Sequence, residues 1–181
     1  MSLIKGIKDR RSIRQYKDTK VPREIMEAVI DATRYTPSWL NLQVARWTLV
    51  DDTDMITKIG ELATSGLVYN KNSLLNAKGV AILSYVKGVS GNLDVYGLDA
   101  KDSGKWETFD AGLACQTFCL AAHDLGVSTC IMGVIEEDIV ADIVELPYGE
   151  EVAAIIMYGY GENGDVPAPE RKPVSEILRF R

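Results

Sequence analysis

Five consecutive residues near the amino end, Arg10-Arg11-Ser12-Ile13-Arg14, form the densest group of side chains suited to binding chemistry. A phosphate dianion is held well by two or three guanidinium groups, which meet its oxygens bidentately, together with hydroxyl or backbone donors. In an extended segment Arg10, Ser12 and Arg14 face one side while Ile13 faces the other. This basic segment (residues 10–14) therefore predicts a phosphate site. On composition alone, a solvated cationic surface explains the same residues equally well.

A second group of polar side chains lies in Pro37-Ser38-Trp39-Leu40-Asn41-Leu42-Gln43, which has no clean helix or strand period. We interpret it as an ordered loop. Its hydroxyl, two amides and indole could hydrogen-bond to a flat heterocycle and stack on it. The alternative is an ordinary turn in which Ser38 and Asn41 satisfy nearby backbone groups.

The charge of the chain is divided unevenly. Residues 5–23 contain eight basic and two acidic residues, so they carry +6, whereas the whole chain carries −6 and the remainder therefore −12. A basic arm on an acidic body favours an anionic ligand near the amino end. Nucleic acid is disfavoured, because the acidic remainder would repel a long phosphate backbone.

Three cysteines and one histidine remain as residues that commonly carry chemistry. Cys115, Cys119 and Cys130 lie in apolar surroundings, where a free thiol packs as a small hydrophobic group. No further cysteine or histidine accompanies them at ligand-like spacing, so we expect packing and no metal site. The sole imidazole, His123, is interpreted as a packing or helix-terminus residue and is left out of the candidate site.

Hydrophobic periodicity predicts one α+β domain over residues 1–181. The predicted helices cover residues 21–35, 54–63, 72–76, 106–125 and 136–145, and the predicted strands cover residues 47–50, 79–86, 127–132 and 151–158. Residues 87–105 contain four glycines and have the least regular pattern, so they predict a flexible excursion.

The predicted helix over residues 106–125 is apolar on nearly every face and rich in small residues. Such a helix must be covered on every face, and in a chain of 181 residues a second subunit is a plausible cover. No apolar run is long enough to span a bilayer, and the first six residues lack a hydrophobic leader. We therefore expect a soluble cytoplasmic protein without a membrane partner.

Taken together and in this order, the two polar segments resemble the nitroreductase family of FMN enzymes. Members of that family have an Arg-Ser-x-Arg start, then a helix, then Pro-Ser-x-x-Asn-x-Gln. The resemblance covers nearly the whole chain apart from the excursion. Its further matching stretches are Asp110-Ala111-Gly112-Leu113-Ala114-Cys115-Gln116, residues 121–133, Met157-Tyr158-Gly159-Tyr160 and Arg171-Lys172-Pro173. It implies a two-layer α+β fold, with a central mostly antiparallel sheet flanked by helices, and a homodimer that binds FMN tightly.

The resemblance also implies three groups of cofactor-binding residues. The positions matched to the FMN phosphate and ribityl chain are Arg10, Arg11, Ser12, Arg14 and Arg171. The positions matched to a loop that reaches the flavin ring across the dimer are Pro37, Ser38, Trp39 and Asn41. The positions matched to the stretch against the ring are Cys130, Ile131, Met132 and Gly133, and Asn70 matches a contact to the pyrimidine part.

The activity implied is ping-pong hydride transfer from NADH or NADPH, through FMN, to an oxidised small molecule such as a nitroaromatic, quinone or enone. The reacting atom is the flavin N5, so no catalytic acid or nucleophile is assigned to the chain. Three departures from the family pattern leave the substrate open: Val44 instead of proline after Gln43, the bulky Trp39, and Ser73 where some members carry lysine.

Three other functions are compatible with the same sequence. The principal alternative is an FMN storage or sensor protein without turnover, which would use the same motifs. A specialised FMN enzyme, carrying out reductive dehalogenation or flavin destruction, would need additional lid residues. A nucleic-acid or anion-binding module would use the basic arm alone.

Overall fold

A computed structural model describes residues 2–94, 105–162 and 166–181. Its centre is one four-stranded sheet in the order β1-β2-β4-β3, in which every neighbouring pair is antiparallel. The strands are β1 (Ala45–Val50), β2 (Gly79–Val86), β3 (Ser128–Met132) and β4 (Glu150–Gly159). The predicted α+β class with a central antiparallel sheet flanked by helices is confirmed.

Seven α-helices accompany the sheet in the described residues. They are α1 (Leu3–Asp9), α2 (Arg23–Thr33), α3 (Thr53–Leu62), α4 (Val68–Asn76), α5 (Trp106–Asp124), α6 (Glu137–Ile143) and α7 (Val174–Ile177). The sequence pattern did not predict α1, whose apolar residues Leu3, Ile4 and Ile7 are exposed instead of forming part of the core. Helix α4 begins four residues earlier than predicted.

The sheet separates two apolar clusters, and β2 contributes to both. Val80 and Ile82 pack on the face covered by α3, α4 and α6, whereas Ala81 and Leu83 pack on the face covered by α2 and α5. Alternate residues of a strand point to opposite faces, so a strand buried on both sides must be apolar throughout. Helices cover both faces, so the sheet lies between two layers of helices. The family resemblance implied only two layers for the whole domain, with the sheet counted as one of them.

The start of α5 is bonded to the turn that follows β2. The Glu107 carboxylate accepts from the backbone N–H of Val89 at 3.0 Å, and the Asp110 carboxylate accepts from the hydroxyl of Ser90 at 2.7 Å. Of the predicted flexible excursion over residues 87–105, the stretch 95–104 lies outside the described residues. Within the described part of the chain, we find no helix that combines the length and the apolar character needed to cross a membrane.

Candidate functional site

The basic segment lies along the outer side of β3, which is an edge strand of the sheet. Its residue Ser12 forms a parallel bridge with Thr129, and the N–H of Ile13 donates to the carbonyl oxygen of Thr129 at 3.0 Å. The Ile13 side chain packs against the core, while Ser12 and the Arg14 side chain are exposed. The alternation read from the sequence therefore leaves Ser12 and Arg14 on the side away from the core.

Tyr16 fixes the end of the basic segment. Its backbone N–H donates to Asn76 Oδ1 at 2.7 Å, and its phenol donates to the carbonyl oxygens of Ile13 and Met157. The side chain is only 2% exposed. The segment is thus joined to β3, β4 and the end of α4 at once, which limits the positions its arginines can take.

The two arginines at the start of the segment are used differently. Arg11 donates to the main-chain carbonyls of Lys8 and Arg10 at 2.5 and 2.9 Å and to that of Val166 at 3.1 Å. Arg10 Nε, by contrast, is buried without a hydrogen-bond partner among the described residues. A buried unpaired guanidinium N–H costs free energy, so an acceptor at Arg10 is expected when the site is filled.

A cavity of about 330 Å³ lies beside the first half of the basic segment. Its lining includes Arg10, Arg11, Lys17 and Thr129, together with His123 from the end of α5. The lining also contains the carboxylate of Asp9. Three cationic side chains and one imidazole therefore share the cavity with a single carboxylate. This cavity favours an anionic group over a neutral one.

The second half of the segment faces the end of β3 and the start of α4. The Arg14 guanidinium lies 5.9 Å from the ring centre of Tyr69, and the Asn70 amide donates to the carbonyl oxygen of Val134 at 3.2 Å. Burial raises the pKa of the Cys130 thiol, and the nearby Arg14 charge and Ser12 hydroxyl oppose that rise. These contacts bring Ser12, Arg14, Asn70 and the 130–134 stretch together.

The surface at the end of β3 is open. The side chain of Ile131 is 45% exposed, and a methyl group added at Gly133 would meet nothing within 4 Å. The exposed apolar side chain of Ile131 and the backbone after it are therefore accessible to a planar ligand. The sequence indicated this stretch only through the family resemblance.

The 37–43 loop (residues 37–43) has a backbone that its sequence does not readily suggest. Leu40, Asn41 and Gln43 have positive φ angles of 47°, 57° and 51°. The Ser38 hydroxyl accepts from the N–H of Gln43 at 2.8 Å, and a cavity of about 500 Å³ lies beside the loop, lined in part by Pro37 and Ser38. Non-glycine residues at positive φ are strained and commonly mark a functional loop.

A buried carboxylate on α5 anchors this loop. The N–H of Trp39 donates to the two oxygens of Asp110 at 3.0 and 3.1 Å, and Asp110 is 2% exposed. No role for Asp110 was predicted from the sequence. A signal was present, since Asp110 is the single acidic residue in the largely apolar stretch 108–122.

The predicted site residues fall into two groups at opposite edges of the sheet. The 37–43 loop leads into β1, whereas the basic segment borders β3, and β2 and β4 lie between them. Adjacent strands are about 4.8 Å apart, so the outer strands are separated by roughly 14 Å. Arg171 belongs to neither group, because it lies in the tail 166–181, whose residues are exposed.

The buried thiols Cys115 and Cys119 lie in the core between α5 and the sheet, as the packing interpretation predicts. A hydrogen bond with Cys119 and burial raise the pKa of Cys115. Within the described residues no group of histidine, cysteine and acidic side chains has an arrangement suited to a metal ion.

Comparison with known proteins finds relatives whose sequences match most of this chain. The chain is 31% identical over 134 residues to a Methanothermobacter thermautotrophicus protein provisionally named NADH dehydrogenase/NAD(P)H nitroreductase, covering 74% of this chain and 62% of the relative. It is 28% identical over 151 residues to the FMN reductase [NAD(P)H] of Bacillus subtilis, covering 80% of this chain and 60% of the relative. The chain therefore spans about three fifths of the length of these two relatives.

The fold is shared with a nitroreductase family protein from Streptococcus pneumoniae, with a TM-score of 0.85, 17% identity and coverage of 99% of this chain and 100% of the other. The family model that matches the chain describes the nitroreductase family and covers residues 7–160, from α1 to the end of β4. That range includes both groups of candidate residues. The chain belongs to the nitroreductase family.

Proposed function

We propose that the chain is an FMN-dependent NAD(P)H oxidoreductase, built as a single domain and active as a homodimer. The observation that carries the proposal is the separation of its candidate residues into two groups at opposite edges of one sheet. Two copies related by a two-fold axis would place the 37–43 loop of one protomer against the basic segment of its partner. Names of relatives, including FMN reductase [NAD(P)H], support the activity.

The basic segment fits the phosphate of FMN. Arg10 Nε is buried and unpaired, and the lining of the adjacent cavity of about 330 Å³ includes Arg11 and Lys17 as further cationic residues. A phosphate oxygen would supply the missing acceptor, and the Ser12 hydroxyl and Arg14 would bind farther along the cofactor. Arg11 holds the main chain around Val166, so we propose for it a smaller share of the phosphate binding.

The end of β3 fits the flavin ring. Ile131 offers an exposed apolar surface for one face of the ring, and the space beside Gly133 allows a close approach to the backbone. Asn70 lies against the same stretch through its bond to Val134 and would meet the pyrimidine part. Backbone N–H groups at 131–133 would stabilise negative charge on the ring, because fixed donors need no reorganisation.

Bound FMN would supply the redox chemistry, by accepting a hydride at N5 and transferring it to a second substrate. The chain's own residues bind, orient and enclose the reactants. Pro37, Ser38, Trp39 and Asn41 of the partner would cover the ring and exclude water from it. A single covered face would serve NADH or NADPH and then a small oxidised acceptor in turn, which is a ping-pong sequence.

Exposed apolar residues support the dimer. In α1, Leu3 and Ile4 are 70% and 63% exposed, and in the tail Ile177 and Phe180 are 71% and 90% exposed. Apolar side chains that stay in water do not stabilise an isolated protomer. A second copy packed against them would remove them from water. The tail would also bring Arg171 towards a phosphate. The cytoplasmic location expected from the sequence remains a prediction.

The test is a spectrum of the purified protein with and without added FMN, followed by anaerobic titration with NADH and with NADPH. We expect a bound-flavin spectrum that bleaches on addition of at least one nicotinamide and recovers on addition of a quinone or nitroaromatic. A protein that stays colourless with excess FMN would refute the proposal. Binding without bleaching would instead support the storage or sensor function.

A further inference from the structure

Asp110 is a buried carboxylate whose donors come from two separate loops. It is 2% exposed, and it accepts from the Trp39 N–H at 3.0 and 3.1 Å and from the Ser90 hydroxyl at 2.7 Å. A carboxylate removed from water needs such donors to offset its lost hydration. The geometry therefore ties the 37–43 loop, the turn after β2 and helix α5 to one side chain.

The loop needs an anchor of this kind. Leu40, Asn41 and Gln43 are strained at positive φ, and their side chains are exposed, so these residues gain little from burial, although Leu42 beside them packs against the core. Among its other bonds, the Gln43 carbonyl oxygen accepts from Arg46 at 2.6 Å, and three bonds from backbone N–H groups are internal to the loop. They run from the N–H groups of Asn41 and Gln43 to Ser38 and from that of Leu42 to Trp39. Asp110 connects this closed turn to a rigid helix.

We propose that Asp110 is a positioning residue, which fixes the 37–43 loop in the form that covers the flavin ring on the partner protomer. Its action on the flavin rests on the function proposed above, but its hold on the loop does not. The carboxylate acts at a distance from the reacting atoms, through the backbone of Trp39. The Ser90 hydroxyl and the Trp39 N–H both donate to Oδ2 of Asp110, so Ser90 helps to orient the carboxylate.

The first test removes the donor and leaves Asp110 in place. Proline is tolerated at the first position of a helical turn, and Ser38 has the extended backbone (φ −135°, ψ 161°) that a following proline requires. Trp39→Pro therefore deletes the N–H, and Trp39→Ala is the matched control that loses only the indole. Hydrogen exchange is measured on the flavin-free chain at the N–H groups of Asn41, Leu42 and Gln43.

We expect these three N–H groups to exchange roughly tenfold faster in Trp39→Pro than in Trp39→Ala, because one buried hydrogen bond to a charged group is lost. Exchange in β2 should be equal in the two variants. Equal exchange in the loop would overturn the proposal. This comparison needs no flavin, so it distinguishes failure of the anchor from failure of the proposed FMN activity.

The second test asks whether the anchor matters to the flavin. Asp110→Asn keeps an oxygen for the Trp39 N–H, and its amide can donate to the Ser90 hydroxyl, so loop exchange and FMN affinity should stay within about threefold of the unmodified protein. Asp110→Ala and Trp39→Pro should each weaken FMN about tenfold relative to their controls, Asp110→Asn and Trp39→Ala. If Asp110→Ala does not fold, the Trp39 pair decides. Unchanged affinity in Trp39→Pro relative to Trp39→Ala would overturn the positioning role.

Discussion

The N–H of Ile13 donates to the carbonyl oxygen of Thr129 at 3.0 Å, and this bond attaches the basic segment to the edge of the sheet. The attachment places Ser12 and Arg14 beside the thiol of Cys130, on a strand whose far end is open at Ile131. A segment fixed to a sheet edge can present charged side chains in a defined direction. A free terminus with the same residues would not hold its charged side chains in one direction.

The phenol of Tyr16 should be required for this attachment. Tyr16→Phe keeps the buried ring but removes the bonds to Ile13 and Met157, so we expect a loss of about 1–2 kcal/mol in the free energy of unfolding. Urea denaturation followed by circular dichroism measures the loss. Tyr35→Phe, at a side chain 73% exposed, is the control and should change stability by less than about 0.5 kcal/mol. Equal stability of the two variants would show that the phenol does not hold the segment.

Arg10 should recognise the phosphate and not the ring. We expect Arg10→Ala to weaken FMN binding at least about tenfold and to leave riboflavin, which lacks the phosphate, within about twofold, because a charge-assisted hydrogen bond is lost only in the first case. Fluorescence titration with the two flavins measures both affinities. Lys58→Ala, at an exposed position on α3, is the control for net charge. An equal loss for FMN and riboflavin would contradict a phosphate role.

Subunit mixing should reveal that each site is built from two chains. Arg14→Ala removes a residue of the basic segment, and Asn41→Ala removes a residue of the loop, so each homodimer should bind FMN weakly at both of its sites. A mixed dimer contains one site with both defects and one with neither, so about half of its sites should regain normal affinity. Differently tagged chains, co-purified and titrated with FMN, measure this. Mixed dimers that bind no better than the parents would exclude a shared site.

Stability should fall at alkaline pH through buried tyrosines, Tyr85 and Tyr158 among them. Burial raises the pKa of Tyr85 to about 12, with help from the hydrogen bond to Glu151, and burial raises the pKa of Tyr158 to about 12. Since an unfolded tyrosine titrates near about pH 10, the folded state keeps these protons longer. Their contribution to the free energy of unfolding is complete below about pH 10 and is lost as the pH rises towards about 12.

The pH dependence is measured by urea denaturation at several pH values across this window. In Tyr85→Phe, the loss in the free energy of unfolding across this window should be smaller by on the order of 1 kcal/mol, because the variant has one less group to titrate. Tyr35→Phe is again the control, since Tyr35 is exposed. A slope that is identical in all three proteins would contradict the assignment to Tyr85.

Local sequence patterns predicted most of the secondary structure. Residues 79–86 were predicted as a strand and form β2 with the same limits, because a strand buried on both faces must be a continuous apolar run. Helix α1 was missed because its apolar residues Leu3 and Ile4 are exposed and do not form part of the core. The bounds of α4 were predicted poorly, since its apolar pattern is weak at Val68 and Tyr69, which are exposed.

The sequence by itself determined which residues could bind an anion and a flat ring, because the side-chain types and their short-range spacing can be read directly from residues 10–14 and 37–43. Only the tertiary structure decided where these groups lie. Strand order places them at opposite edges of one sheet, and Asp110 meets Trp39 across 71 residues of chain. Pairings of that kind depend on how the whole core packs, and the pattern of neighbouring residues does not contain them.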